Sequence, residues 1–596
     1  MTDTTEINKN NTVKTPWAAY TGGIPLTLTY FEGTMYEMVA DIAAKYPEYV
    51  AFDFMGRSTT YREMMRGIGQ CARALQAAGV AENDRVTIAM PNCPQAIYML
   101  YAVNLIGAVA NMIHPLSAEK EIEFYLNAAH STVAVTLDQF YGKFAAIKQG
   151  TDLRTMIIAS IRDELALPAK VGYDLTAGRK VKKLPPDAPV IRWKEFMKTG
   201  KAAAKADADK ADAARDAETP FPKRGDHDPA VILYSGGTTG TTKGIVLTNR
   251  NFNALSQQVC AANPMFQPGD RMLAAMPLFH GFGLGVCIHT MLTQGGRCVL
   301  VPRFTPKSYG KLITKYKCNF IAGVPTLYEA LLRLPKMDNA DMSALKGVFS
   351  GGDSLSVELK KKLDNYLAAH KATVQVREGY GTTETVTACC LTPPHMAKEG
   401  SIGLPFPDTF IKIVKPGTDE EVPYGDEGEI LLAGPTVMKE YMDNPEETAQ
   451  TLRRHADGLT WVYTGDLGTM DDQGFIYFRG RAKRMIVTSG YNVYPGQLEN
   501  ILDAHPMVQM SCVIGVPDPY KMQKVKAFVK LSAGNEPTEE TKRQLLDYCR
   551  KNIARYAMPY DIEFRDDMPK TLVGKVAYRV LEEEEKAHAT AQQETL

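Results

Sequence analysis

Residues 231–244 read Val-Ile-Leu-Tyr-Ser-Gly-Gly-Thr-Thr-Gly-Thr-Thr-Lys-Gly. The first four continue an apolar run that has the length of a buried strand. A loop of glycines and hydroxyl residues follows, in which backbone N–H groups can turn towards an anion and hydroxyl groups add donors for phosphate oxygens. The stretch is therefore predicted to bind a phosphate group. The predicted binding residues are Ser235, Gly236, Gly237, Thr238, Thr239, Gly240 and Lys243.

The sequence of this loop bears on two other interpretations. The Walker A pattern Gly-x-x-x-x-Gly-Lys-Ser/Thr does not align with it in any register. A plain turn between a strand and a helix would have the same composition and remains open from these residues alone. The helix would then begin near Thr248, which is a good N-cap residue.

Length and composition limit the class of protein. A chain of 596 residues is too long for one hydrophobic core, so two or more domains are expected. The 68 basic and 68 acidic residues balance, and this argues against a nucleic-acid partner. Ten cysteines without a Cys-x-x-Cys pair indicate reduced thiols and a cytoplasmic protein. We expect no signal peptide and no transmembrane segment, although peripheral membrane contact stays possible.

Alternating strands and helices indicate the fold class. Residues 34–45 and 60–78 are predicted amphipathic helices, and the second opens with a capping box from Thr60 to Glu63. Strands and helices alternate after them, as in a parallel sheet covered by helices. Residues 198–218 are rich in Ala, Lys and Asp, and we expect a solvated helix or loop there. The acidic tail, residues 582–596, is expected to fray.

The glycine-rich loop resembles the phosphate-binding signature of the AMP-forming adenylating enzymes, the superfamily of acyl-CoA synthetases, luciferases and peptide-synthetase adenylation domains. Gly236 stands where serine is usual and Thr242 where proline is usual, whereas Lys243 and the core 238–240 match. We expect these departures to alter loop stiffness and to leave binding intact. The chain from Trp17 onward is similar to fatty-acid–CoA ligases in particular.

The resemblance implies a nucleotide site at several separate strings. The Gly-Gly-Asp string at 351–353 would contact adenine, and Tyr380 would stack on it. Thr383 would hold the α-phosphate, while Asp466 and Arg481 would reach the ribose, since a carboxylate can accept hydrogen bonds from vicinal hydroxyls. The implied ATP- or AMP-binding residues outside the loop are Gly351, Gly352, Asp353, Gly379, Tyr380, Gly381, Thr382, Thr383, Asp466, Arg481 and Lys575.

The resemblance also implies catalytic roles. Glu384 would hold Mg²⁺, a hard cation that prefers carboxylate and phosphate oxygens. Lys575, in the last motif, would bridge the substrate carboxylate and the α-phosphate, and Thr239 belongs to the same catalytic set. Lys483 would be the hinge about which a C-terminal domain rotates between two half-reactions.

Two further groups of residues are implied for the substrates. The string Pro-Leu-Phe-His-Gly-Phe-Gly at 277–283 resembles a segment that lines the carboxylic acid pocket, although a lone histidine beside aromatics is usually a packing residue. The small apolar Ala388 would suit an alkyl chain. Candidate acyl-pocket residues are Phe279, His280, Val324 and Val386, and candidate CoA-binding residues are Ser489 and Gly490.

The resemblance thus predicts an α/β fold. Residues 1–479 would form an adenylate-forming domain of helix-covered, mostly parallel sheets with a distorted β-barrel subdomain. Residues 480–596 would form a small mobile α+β domain with its hinge at Lys483.

The predicted function is an ATP-dependent acyl-CoA ligase for a medium- or long-chain fatty acid, with ATP, Mg²⁺ and CoA as cofactor and co-substrates. The alternatives are an enzyme that loads a carrier protein in trans, an aryl-acid CoA ligase, and a nucleotide-binding regulator without catalysis. The last is disfavoured because Glu384, Asp466, Arg481 and Lys575 are all present. Oligomeric state is left open.

Overall fold

The fold comes from a computed structural model that describes residues 13–182, 184–213, 221–236, 242–303, 305–334, 340–488, 491–518, 520–571 and 575–593. The strands are β1 (Val50–Phe54), β2 (Arg57–Thr60), β3 (Arg85–Ala89), β4 (Val109–Met112), β5 (Val133–Leu137), β6 (Thr155–Ala159), β7 (Ile191–Arg192), β8 (Pro229–Gly236), β9 (Thr242–Thr248), β10 (Arg271–Ala274), β11 (Arg297–Leu300), β12 (Phe320–Gly323), β13 (Gly347–Ser350), β14 (Val376–Tyr380), β15 (Cys390–Leu391), β16 (Leu404–Pro405), β17 (Phe410–Val414), β18 (Gly428–Ala433), β19 (Glu440–Tyr441), β20 (Leu452–Arg454), β21 (Thr460–Met470), β22 (Ile476–Arg481), β23 (Ile486–Thr488), β24 (Tyr491–Val493), β25 (Val508–Asp518), β26 (Met522–Leu531) and β27 (Asp561–Phe564).

The α-helices are α1 (Met35–Lys45), α2 (Tyr61–Ala77), α3 (Pro94–Leu105), α4 (Glu119–Ala128), α5 (Tyr141–Ile147), α6 (Leu167–Leu175), α7 (Trp193–Ala213), α8 (Asn249–Ala261), α9 (Thr290–Thr293), α10 (Pro306–Tyr316), α11 (Pro325–Leu332), α12 (Val357–Ala369), α13 (Pro445–Thr451), α14 (Pro495–Asp503), α15 (Glu539–Asn552) and α16 (Tyr578–Gln593).

Two large sheets form the body of the protein. The first has the strand order β19-β9-β8-β4-β3-β5-β6-β7, and the second has the order β16-β15-β14-β13-β12-β10-β11-β1-β2. Their central strands are parallel, from β8 to β7 in the first and from β14 to β1 in the second. Each is covered by helices, because both faces of a parallel sheet are apolar. The predicted α/β fold class is confirmed.

Two smaller sheets follow along the chain. An antiparallel half-barrel joins β17, β18, β21, β20 and β22, and it is the predicted barrel-like subdomain. The last sheet joins β24, β23, β26, β25 and β27, and α14 and α15 pack on it. The buried apolar residues of this sheet and its helices, from Ile486 to Ile562, form a core cluster of their own.

The two described ends of the predicted phosphate-binding stretch lie in β8 and β9, which are neighbouring antiparallel strands of the first sheet. The predicted start of α8 is confirmed, because Thr248 and Asn251 exchange the two hydrogen bonds of a capping box. The alternative left open above, a plain turn from strand to helix, does not hold, since β9 intervenes and pairs antiparallel with β8. Ile245 and Leu247 pack into the main core while Val246 packs on the other face, so both faces of β9 are buried. Burial on two faces favours a strand over a loop.

The segment 198–218 is helical as far as α7 extends, and residues 214–218 lie outside the described residues. It is more than a solvated appendage, because Arg73 on α2 pairs with Asp207 at 2.7 Å. A Cβ added at Gly200 would lie 1.9 Å from the carbonyl oxygen of Gln70, so the two helix backbones approach closely. Glycine makes that approach possible.

The expected fraying of the C-terminal tail is wrong for residues 582–593, which continue α16. Leu581 is fully buried, and Glu585 pairs with the buried Lys526 of β26, which also pairs with Glu563. A buried lysine needs carboxylate partners, and the acidic tail supplies one of them. Residues 594–596 lie outside the described residues.

Candidate active site

A cleft of about 500 Å³ opens between the second sheet and the C-terminal part of the chain. Strands β13 and β14 are parallel neighbours with Ser350 opposite Glu378, so the loops that follow both strands leave the same edge of the sheet. Ligands of open parallel sheets bind at such carboxyl ends. The predicted nucleotide-binding residues that line the cleft are Gly352, Asp353, Gly379, Tyr380, Gly381, Asp466, Arg481 and Lys575.

Asp466 is the best-anchored polar group of this cleft. It is 1% exposed on β21, and the hydroxyl of Tyr380 donates to its Oδ2 at 2.6 Å. Its Oδ1 lies 3.1 Å from Nε of Arg481 but accepts no aligned hydrogen bond from the described residues. Burial raises the pKa of the Asp466 carboxyl, and Arg481 and Tyr380 oppose that shift. A buried carboxylate oxygen with a spare lone pair is suited to accept a hydrogen bond from a ligand hydroxyl.

Lys575 reaches the same cleft from the far end of the chain. Its backbone is held by Thr571, whose N–H donates to the Lys575 carbonyl at 2.7 Å and whose hydroxyl accepts from the Lys575 N–H at 3.1 Å. The Lys575 Cε lies 3.8 Å from the position of a Cβ added at Gly352. Burial lowers the pKa of the Lys575 ammonium; Asp353 and Asp466 oppose that shift, while Arg481 adds to it. An anionic ligand in the cleft would raise this pKa again.

The remaining residues of the two sheet-edge strings lie beside the cleft. A Cβ added at Gly351 would be 3.1 Å from the carbonyl oxygen of Gly379, so the two strings contact each other. Thr382 is buried and its N–H donates to Thr385 Oγ1 at 3.3 Å, at the start of a short 3₁₀ turn that holds Thr383. The strings are thus two adjoining loops of one sheet edge.

Glu384 and Lys243 are linked through one tyrosine. The hydroxyl of Tyr441 donates to Glu384 Oε1 at 2.7 Å, and its ring lies 4.9 Å from the Lys243 ammonium. Lys243 also pairs with Glu447 on α13. Burial, followed by the charge of Glu384, raises the pKa of Tyr441. Ser235 and Gly236 end β8 beside this group, whereas the predicted loop residues Gly237, Thr238, Thr239 and Gly240 lie outside the described residues.

Three of the four acyl-pocket candidates, Phe279, His280 and Val386, lie around a tight backbone contact, whereas Cγ1 of Val324 lies 3.5 Å from a Cβ added at Gly352. A Cβ added at Gly281 would lie 1.7 Å from the carbonyl oxygen of Val386, and Val386 itself is fully buried with φ +65°. Positive φ is rare for a β-branched residue, so this turn is strained. The ring of Phe279 contacts the ring of His114 in a tilted arrangement, with ring centroids 4.4 Å apart. Burial and the nearby Lys575 lower the pKa of His280 to about 4, so this imidazole is neutral at pH 7.

Comparison with known proteins identifies the family. Residues 39–442 match the family described as AMP-binding enzyme, and residues 497–575 match the AMP-binding enzyme C-terminal domain. The chain belongs to the AMP-binding enzymes. The assignment of the sequence to the AMP-forming acyl-CoA synthetases is thereby confirmed.

This AMP-binding enzyme is 35% identical over 577 residues to the long-chain-fatty-acid–CoA ligase of Bacillus subtilis (strain 168), covering 96% of this chain and 98% of the relative. It is 32% identical over 561 residues to the ligase of the same name from Yersinia pestis, covering 93% and 94%. It is also 32% identical over 533 residues to a feruloyl-CoA synthase from Amycolatopsis sp, covering 89% and 94%. The crystal structure of ATP-bound MatB from Rhodopseudomonas palustris aligns with a TM-score of 0.77 at 26% identity, covering 92% and 98%.

The predicted hinge residue and the predicted CoA-binding residues of the AMP-binding enzyme are not among the residues that line the cleft. Lys483 is exposed on the short 3₁₀ turn Ala482–Arg484 between β22 and β23. The next residue, Arg484, is held by Glu499 of α14 and lies 4.8 Å from the ring of Tyr578. The predicted CoA-binding residues Ser489 and Gly490 lie outside the described residues.

Sequence reasoning missed Tyr441 and Glu447 of the enzyme. Glu447 pairs with Lys243 across 204 positions of the chain, and Tyr441 meets Glu384 across 57. Tyr441 and Glu447 belong to no quoted motif, and only the folded chain brings them to the predicted phosphate-binding stretch. No signal in the sequence alone points to Tyr441 or Glu447, because their proximity to Lys243 and Glu384 exists only in the folded chain.

The described part of the enzyme has no helix that combines the length and apolarity needed to cross a bilayer.

Proposed function

We propose that this chain joins a medium- or long-chain fatty acid to CoA at the expense of ATP. The carboxylate would attack the α-phosphorus of ATP and release pyrophosphate, and the thiol of CoA would then displace AMP from the acyl-adenylate. The observation that carries this proposal is the meeting of Asp466 and Lys575 in one cleft. A single nucleotide bound there would contact the half-barrel and the C-terminal part of the chain at once.

The choice of a fatty acid is supported by relatives. Two proteins that match almost the whole chain are named long-chain-fatty-acid–CoA ligases. The apolar Val324, which contacts the cleft residue Gly352, and the buried Val386 are compatible with an alkyl chain. A third relative is named feruloyl-CoA synthase, so the test below also includes aryl acids as possible substrates.

The proposed nucleotide contacts follow from the side chains that line the cleft. Asp466 Oδ1 would accept from a ribose hydroxyl, with Arg481 beside it, and the ring of Tyr380 would stack on adenine while its hydroxyl stays bonded to Asp466. Gly352 and Gly379 would allow the base to approach the backbone of their loops, because neither glycine carries a side chain.

Lys575 is proposed to act in the first half-reaction. Its ammonium would lie between the substrate carboxylate and the α-phosphate, where negative charge is rearranged as the new bond forms. Removing one well-placed electrostatic stabiliser typically slows a reaction about 10²- to 10³-fold. The neutral His280 beside it adds no competing positive charge to the acyl pocket at pH 7.

Mg²⁺ is proposed at Glu384. Among the described residues no group of three or more His, Cys, Asp or Glu side chains could hold a metal ion, so one carboxylate would share the ion with phosphate oxygens, as Mg²⁺ often requires. When bound, the ion would neutralise charge on the phosphates. Tyr441 would orient the Glu384 carboxylate, and Lys243 would meet the outer phosphates.

The second half-reaction is proposed to need movement of residues 480–596 about Lys483. Lys575 and the thiol of CoA cannot occupy the same space at the acyl carbon, so one must leave before the other arrives. The turn that carries Lys483 is short and exposed, and a hinge needs only a few residues that absorb a backbone change. Rotation would bring Ser489 and Gly490 towards the thiol channel.

One assay tests the proposal. Pyrophosphate release is measured over a panel of alkyl and aryl carboxylic acids, with and without CoA, and the thioester is detected by mass spectrometry. The expected result is CoA-thioester formation that is fastest with a medium- or long-chain fatty acid. Preference for an aryl acid would overturn the substrate. Acyl-adenylate without CoA transfer would indicate carrier-protein loading, and absence of ATP turnover would end the proposal.

A further inference from the structure

Helix α6 has an apolar face that nothing in the described chain covers. It belongs to the connection between β6 and β7, at one edge of the first sheet, and none of its residues is buried. Ala169 and Tyr173 pack partly against the main core. On the opposite side Leu167, Val171 and Leu175 are 78%, 56% and 57% exposed. These three residues follow one another at spacings of four, so they form one stripe along the helix.

The acidic residue of this helix is neutralised by an arginine. Arg162 donates to both carboxylate oxygens of Asp174, from Nε to Oδ1 at 2.7 Å and from Nη2 to Oδ2 at 2.9 Å. This pairing lowers the pKa of the Asp174 carboxyl. The negative charge of α6 is therefore balanced, and its polar side does not repel anions.

Basic residues lie on α6 and directly after it along the chain. Lys170 lies on α6, and Arg179, Lys180 and Lys182 follow on the next turn and beyond, all three exposed. Within the residues that the structure describes, no carboxylate lies at ion-pair distance from these four cations. Residues 167–182 thus combine an exposed apolar stripe with an excess of positive charge.

We propose that residues 167–182, the α6 surface, dock the protein on an anionic lipid bilayer. Leu167, Val171 and Leu175 would enter the boundary between headgroups and acyl chains. Lys180 and its basic neighbours would contact the lipid phosphates. An amphipathic helix with leucine on one side and lysine or arginine beside it is the arrangement that binds such interfaces.

The size and charge of the α6 surface favour a bilayer over another protein. Stable protein interfaces bury about 1,200–2,000 Å² in total, which is more than a nine-residue helix with three apolar side chains offers. The balanced Asp174 and the unpaired cations complement a surface that carries negative charge. If the proposed function holds, docking would place the enzyme at the bilayer into which long-chain fatty acids partition. Only this consequence rests on the proposed function, and the docking itself does not.

The test measures binding of the full chain, without ATP, to phosphatidylcholine vesicles that contain phosphatidylglycerol, by co-sedimentation. Replacement of Leu167, Val171 and Leu175 by Gln is expected to weaken binding by at least about tenfold, because the three side chains lose their apolar burial. Lys180→Glu with Lys182→Glu is expected to weaken it by about tenfold or more at low salt and to reduce its salt dependence. Met265→Gln with Lys307→Glu is the matched control and is expected to bind like the wild type, because Met265 is exposed in the loop after α8 and Lys307 is exposed on α10, both away from α6 along the chain.

Three results would overturn the proposal: no binding of the wild type to anionic vesicles, equal binding of the Gln variant and the wild type, or a change of molar mass in light scattering caused by the Gln substitutions. The last would identify a second copy of the chain as the partner. Circular dichroism of each variant checks folding. Because the readout needs no turnover, a failed ligase assay and failed docking are distinguishable.

Discussion

The hydroxyl of Tyr380 donates a 2.6 Å hydrogen bond to Oδ2 of the buried Asp466, and so joins the edge of the second sheet to the half-barrel. The two residues are 86 positions apart. The bond fixes the Asp466 carboxylate from one side and leaves Oδ1 directed towards Arg481 and the cleft. The geometry of the proposed nucleotide site depends on this contact.

Tyr380→Phe is expected to raise the KM for ATP by about tenfold with a smaller change in kcat, because the aromatic ring stays while the carboxylate loses a charged hydrogen bond. Pyrophosphate release at varied ATP measures both constants. The matched control is Tyr477→Phe, which removes a 3.2 Å bond from another tyrosine to Asp471, and it is expected to leave the KM unchanged. An unchanged KM in Tyr380→Phe would contradict the ribose role of Asp466.

Lys575→Ala is expected to slow adenylation about 10²- to 10³-fold, while CoA still reacts with a supplied acyl-adenylate. Single-turnover pyrophosphate release and thioester formation separate the two steps. Lys570→Ala is the control and should adenylate normally, because Lys570 is exposed and its backbone pairs with Val576, next to Lys575. Wild-type adenylation by Lys575→Ala would remove this lysine from the mechanism.

Lys483→Pro is expected to block thioester formation more than adenylation. Proline fixes φ at this exposed turn, so the backbone could no longer rotate between two arrangements. Lys483→Ala keeps the backbone free and is expected to retain both half-reactions. The two rates are measured separately with and without CoA, and an equal loss in both would count against a hinge at this position.

Glu378→Gln is expected to raise the Tm above that of the wild type, and this difference should grow as pH rises. Burial raises the pKa of the Glu378 carboxyl to about 8, mainly by desolvation, while Lys360 and the hydrogen bond from the Leu355 N–H oppose the shift. The unfolded carboxyl ionises near its ordinary pKa of about 4.3. Between these two values the unfolded state releases its proton first, so the wild type loses stability as pH rises.

The gain in Tm of Glu378→Gln over the wild type should therefore grow from about pH 5 to about pH 8 and then level off. Gln retains an oxygen that can accept from the Leu355 N–H. Glu446→Gln at an exposed position is the control, with little change expected across the same range. A gain that does not vary with pH would show that Glu378 is ionised in the folded protein.

Much of the secondary structure was predictable because its signals are local. Thr60 caps α2 through Glu63, three residues away, and the capping box forms as predicted. The predicted start of α8 near Thr248 is confirmed for the same reason, since its capping box joins residues only three positions apart. The family resemblance was also readable, because each motif that carries it is a short continuous string of residues.

The errors concern residues whose conformation depends on distant partners. Strand β9 was missed because its second buried face is supplied by other elements, and the order of residues 582–593 depends on Lys526. The partners of Lys243 could not be predicted either, because Glu447 is 204 positions away.

The sequence by itself determined the family to which the chain belongs, and it was enough to predict phosphate binding at residues 231–244 and site roles for the strings around Tyr380 and Asp466 and for the terminal Lys575. Only the tertiary structure decided that Tyr380 bonds to Asp466, that Lys575 lies beside Gly352, and that Tyr441 joins Glu384 to Lys243. The physical reason is range. Propensities, caps and motifs act over a few residues, whereas burial, charge pairing and the shape of a cleft depend on which distant segments pack together.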